Sequence, residues 1–72
     1  MTYAECVSEM RDGLGDETLV DDGATTWTLA NLDEAAGDES SDGREYGWDG
    51  TGCYRVNYDG TWGMRMLRVV PV

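Results

Sequence analysis

The sequence predicts an α+β fold: an N-terminal helix packed on a small antiparallel β-sheet of about four strands, with a long acidic loop between the two halves of the sheet. Three observations carry this. Tyr3, Cys6, Val7 and Met10 fall at i, i+3, i+4 and i+7, one apolar stripe of an amphipathic helix. Two apolar segments are interrupted by turn residues, at Asp21-Asp22-Gly23 and Asn57-Tyr58-Asp59-Gly60, as β-hairpins are. Between them, Asp33 to Gly52 is rich in acids, Gly and Ser, with Tyr46 and Trp48 its only large apolar residues.

Thr2-Tyr3-Ala4-Glu5 reads as a capping box that starts the helix. Gly13 is the expected stop, with Leu14 folding back as the hydrophobic contact. Thr18–Val20 and Ala24–Leu29 read as the first hairpin, with Trp27 and Leu29 on one face. Asn31-Leu32-Asp33-Glu34 is a second capping box, for a helix of about one turn ending at Gly37.

The second hairpin, Cys53–Val70, is the expected organiser of the fold. Gly60 suits a left-handed residue closing a three-residue loop, which pairs Asn57 with Thr61. In that register Tyr54, Val56, Trp62, Met64, Met66 and Val70 share one face, expected to be the core and to meet the helix stripe together with Trp27 and Leu29. Cys53, Arg55, Gly63, Arg65 and Leu67 take the other, expected to be largely solvated.

At 72 residues the chain is one domain, residues 1–72, with room for a single marginal core. No apolar run approaches the roughly 20 residues that span a bilayer, and no secretory signal is visible, so the expectation is a cytoplasmic protein. Cys6 and Cys53 make neither a disulfide framework nor a zinc site; Cys6 is expected to act as a small hydrophobe, and a Cys6–Cys53 bridge requires an oxidising compartment.

Fifteen Asp and Glu stand against five Arg, with no Lys and no His, for a formal net charge of −10. That balance disfavours direct binding to nucleic acid or to an anionic membrane and points to a basic partner, a bound cation or a salty cytoplasm. Enzymatic activity is not expected: no histidine or lysine is present to activate a serine or cysteine, and no glycine loop free of neighbouring acids is present to hold phosphate. No cofactor is implied.

Residues 38–49 partly match a twelve-residue calcium loop. Asp38, Ser40 and Asp42 offer oxygens at the first, third and fifth places, Gly43 the turn at the sixth, and Asp49 the twelfth ligand. The match is weak: Asp49 replaces a bidentate Glu, Glu45 stands where an apolar residue belongs, and no convincing helices flank the loop. A calcium loop is therefore a minor alternative.

A compact chain of this size is roughly 28 Å across, a length over which duplex DNA carries on the order of 16 phosphates. Fifteen carboxylates on such a body approach that charge density. Glu5, Glu9 and Asp12 are expected to form one acidic patch on the helix. Asp33, Glu34, Asp38, Glu39, Asp42, Glu45 and Asp49 are expected to form a second, with Tyr46 and Trp48 as aromatic anchors. In size, charge and this acidic run the chain resembles the small acidic DNA-mimicking proteins that phages use against host defence, of the anti-CRISPR and anti-restriction type. The resemblance covers the whole chain by composition and includes no sequence motif. It implies inhibition by blocking the DNA-binding groove of a basic effector complex in the infected cell, with the arginine-bearing hairpin as the back wall. The alternatives are halophilic adaptation of an otherwise ordinary domain and an acidic protein-binding module of antitoxin or regulatory type.

Overall fold

Thr2 caps the first helix as its residue type predicts, and the computed structural model, which describes residues 1–36 and 43–71, shows both arms of the capping box. The Glu5 amide donates to Thr2 Oγ1 at 3.1 Å, and the Thr2 amide donates to Glu5 Oε1 at 2.8 Å. Helix α1 spans Tyr3–Leu14 and buries Cys6, Val7 and Met10, three of the four expected stripe residues, with Tyr3 half-buried beside them. Thr2→Ala is expected to cost about 1 kcal/mol, read from the urea midpoint. The backbone N–H of Thr2 holds the Glu5 carboxyl below its ordinary value. Its contribution is therefore present at neutral pH and lost as pH falls through that lowered value.

The helix stops later than Gly13. Gly15 supplies the positive φ, at 106°, and its N–H donates to the Arg11 carbonyl. Gly13 has a different role: a Cβ there would lie 2.7 Å from Trp48 Cη2, so the helix needs a residue without a side chain where the indole packs.

Strands β1 (Leu19–Asp21) and β2 (Thr26–Thr28) form the first hairpin, closed by Asp22, whose Oδ1 accepts from the Ala24 and Thr25 amides. Leu29 leaves the strand. It begins α2 (Leu29–Ala36), a helix of two turns that starts two residues before the expected cap; the Thr28 hydroxyl accepts from the Asn31 amide. Leu29, Leu32 and Ala36 are buried, so packing against α1 sets the start of the helix rather than the Asn31 signal.

Strands β3 (Tyr46–Asp49), β4 (Gly52–Val56) and β5 (Trp62–Val69) complete one antiparallel sheet of order β2-β1-β5-β4-β3. The fold is α+β, as expected, and among the described residues the sheet has five strands, one more than the anticipated four. The extra strand, β3, lies within the stretch that reads as loop. α1 contacts β3 and α2 contacts β2, so both helices cover the same side.

The second turn forms as its residues predict. The Asn57 amide donates to the Thr61 carbonyl at 2.7 Å, and Gly60 has φ 87°. Val56 then pairs with Trp62, but Tyr54 pairs with Arg65 and Cys53 with Leu67. Two bulges therefore each insert one extra residue into β5.

The expected core face of this hairpin is inverted. Cys53 and Leu67 are fully buried against Cys6, Val7, Met10, Val20, Leu29 and Tyr46, whereas Trp62 is 46% and Met64 64% exposed. Tyr54 and Val56 are half-buried on the outer side. There the Tyr54 and Trp62 rings stack at 5.1 Å, and the indole covers Gly47. Met66 packs against the core as expected, and Trp27 does so from β2. The reason is additive across the sheet. Pairing puts Trp48 on the side of Cys53 and Val20 on the side of Val69, so the neighbouring strands supply the larger apolar total to the face that the hairpin alone makes the poorer.

Candidate partner-binding surface

The candidate surface is built on α1. Glu5, Glu9 and Asp12 recur at i, i+4 and i+7, which aligns them along about 10 Å of the solvent side of the helix. All three are exposed. Glu9 is steadied by the Trp48 indole, whose Nε1 donates to Glu9 Oε1 at 3.1 Å. Glu34 adds an exposed carboxylate from α2, the helix packed beside α1.

Arg11 is the one arginine of the helical layer, and it is engaged. Its Nε lies 2.7 Å from Asp16 Oδ1, and its Nη1 lies 3.1 Å from Asp33 Oδ2. The guanidinium hydrogen bond holds the Asp16 carboxyl below its ordinary value, and the two carboxylates raise Arg11 further above neutrality. Asp33, expected to face a partner, instead ties α2 to α1. Glu17, which no sequence signal singles out, is exposed just past the helix end and adds a carboxylate to this layer.

Several expected site residues sit elsewhere. Tyr46 is 6% exposed and meets Tyr3 edge to face at 5.5 Å, so it is a core residue and not an exposed anchor. Trp48 is half-buried over Gly13. Glu45 is exposed at the start of β3, where its carbonyl accepts from the Val56 amide. Asp49 braces the β3–β4 turn. Its Oδ1 accepts from the Thr51 hydroxyl at 2.6 Å, the Thr51 amide at 2.8 Å and the Gly52 amide at 3.2 Å, and these bonds depress its pKa. Asp38, Glu39 and Asp42, with Ser40 of the calcium alternative, lie outside the described residues. Asp49, the twelfth ligand of that alternative, ends a strand where a calcium loop would begin a helix. Among the described residues, no three His, Cys, Asp or Glu side chains are grouped to hold a metal ion.

Charge is divided between the layers. Residues 1–17 and 29–36, the helical layer, carry seven carboxylates and one arginine. Residues 18–28 and 43–71, which form the sheet, carry five carboxylates and four arginines. Arg68 reaches Asp21 at 3.5 Å across β5 and β1. By register, Arg65 opposite Tyr54 and Arg68 next to the buried Leu67 lie on the open outer face of the sheet, and the helical layer holds the excess negative charge. No helix among the described residues is long and apolar enough to cross a membrane. Compared with protein-family models, with curated proteins and with solved structures, the chain matches none.

Proposed function

We propose that this chain is a small acidic inhibitor that occupies the nucleic-acid groove of a basic effector complex, with carboxylates standing in for DNA phosphates, as anti-CRISPR and anti-restriction proteins do. It acts by occupancy and performs no catalysis. The observation that carries this reading is the separation of charge: seven carboxylates against a single arginine on the helical layer, five of them outside the ion pairs that Arg11 makes with Asp16 and Asp33. The molecule measures 33 × 26 × 23 Å, so that layer presents its charges over a length similar to one face of a short duplex. An Arg/Lys-lined groove would draw such a face in rapidly and hold it in a salt-dependent way.

The test is displacement of duplex DNA from purified RNA-guided effector and restriction complexes, measured by mobility shift at two salt concentrations. The protein is expected to release DNA from one of them, and less effectively at the higher salt. Reversal of Glu9, Asp12 and Glu34 to Lys together is expected to weaken inhibition about 10–100-fold, each exposed pair contributing up to about 1 kcal/mol and reversal adding repulsion. Arg65→Ala, on the opposite face, is expected to leave it within about twofold. Full inhibition by the triple reversal, with its circular dichroism unchanged, would remove the helical face from the mechanism. If the wild-type chain unfolds at low salt and recovers in molar KCl without displacing DNA, the charge reports habitat instead.

A further inference from the structure

Independently of that reading, we propose that Cys6 and Cys53 are a buried dithiol that a peroxide-class oxidant converts into an intramolecular disulfide, tying α1 to β4. The two residues are 47 positions apart, yet the fold brings their sulfurs to 3.3 Å, and both side chains are fully buried. No other sulfur partner is available to either in the sequence apart from methionine thioethers, so the geometry selects one pairing.

The two sulfurs are not equivalent. Cys53 donates its S–H to Cys6 Sγ. That hydrogen bond favours the Cys6 thiolate and holds its pKa below the ordinary thiol value, while it pushes that of Cys53 up. Cys6 is also the fourth residue of α1, near the helix end whose partial positive charge stabilises a thiolate. Cys6 is therefore the attacking sulfur and Cys53 the resolving one.

In the first step the Cys6 thiolate attacks one oxygen of hydrogen peroxide. The O–O bond breaks, Cys6 becomes a sulfenic acid, and the departing hydroxide takes up the proton that Cys6 released, giving water. In the second step Cys53 attacks the Cys6 sulfur. The S–S bond forms, the S–O bond breaks, and a second water leaves with the Cys53 proton. Two thiols have lost two electrons, and one peroxide has been reduced to two waters. Because both sulfurs are buried, the oxidant reaches them during local openings of α1, and those openings set the rate.

The bond would change what the acidic face rests on. α1 carries Glu5, Glu9 and Asp12, and in the reduced protein only non-covalent packing holds it to the sheet. The disulfide closes the chain between the first helix and β4 and restricts the unfolded state, so it acts on stability.

The experiment treats the reduced full-length protein with hydrogen peroxide under native conditions. Intact mass, a peptide map after cleavage at arginine without reductant, and the melting temperature are then compared with the untreated protein. The expected results are loss of two hydrogen atoms, a linked pair of peptides 1–11 and 45–55, and a melting temperature higher by roughly 10–25 °C that dithiothreitol restores. Cys6→Ser and Cys53→Ser should lack the linked peptides and the rise in melting temperature. Should either variant fail to fold, the wild-type peptide map decides by itself. Thiols that stay unmodified, addition of two or more oxygens to either cysteine, or linkage only between two molecules would each overturn the proposal.

Discussion

Leu67→Ala is expected to cost about 3–5 kcal/mol, whereas Met64→Ala on the same strand should change stability by less than about 1 kcal/mol. Leu67 is fully buried in β5, the middle strand of five, opposite Cys53 and beneath the helices. Removing its side chain leaves a cavity between two layers that cannot both collapse onto it. A domain of this size has only about 4–11 kcal/mol in total, so the variant should be partly unfolded at room temperature. Met64 is 64% exposed on the open face of the sheet, and truncating it removes little from the core. Urea melts of the two variants measure the difference directly. A larger loss for Met64→Ala than for Leu67→Ala would return the core to the opposite face of the hairpin.

The second large effect belongs to Gly52. This residue opens β4 beside Arg68 of β5, and an added Cβ would overlap the Leu67 carbonyl oxygen and come within 3.3 Å of the Arg68 Cα. These are backbone atoms of the paired strand, so no side-chain rotation relieves the contact and the ladder itself must open. Gly52→Ala is expected to cost about 2–4 kcal/mol. Gly50→Ala, two residues earlier in the turn, meets nothing within 4 Å and has no positive φ. It should be neutral or stabilising by up to about 1 kcal/mol, through the lower entropy of the unfolded chain. Equal denaturation midpoints for the two variants would contradict the close approach of β4 and β5 at this point.

Legibility in the sequence followed the range of the interactions involved. The N-terminal capping box and apolar stripe of α1 depend on residues within three or four positions of one another, and both were readable. The Asn57–Gly60 turn is similarly local and formed with the expected pairing. Features that depend on distant partners were not readable. Gly13 reads as a helix stop because nothing in its neighbourhood reveals that Trp48, 35 positions later, packs on it. Tyr46 and Trp48 read as aromatics stranded in a loop because β3 exists only through its pairing with β4. Of the candidate surface, the α1 carboxylates were legible from helical spacing. The loss of Asp33 to Arg11 was not, since it requires knowing that α2 lies beside α1.

The sequence by itself determined the α+β class, the start of the first helix, the geometry of the second turn and the excess of negative charge. Only the tertiary structure decided which face of the sheet is the core and that Cys6 meets Cys53. The physical reason is the same for both. A hairpin with two partly apolar faces has no intrinsic inside. The choice falls to the summed burial of Val20, Tyr46, Trp48, Cys53 and Leu67 from separate strands under one helical layer. That choice turns Cys53 inward against Cys6 and leaves Trp62 and Met64 on the open side, away from the acidic helices.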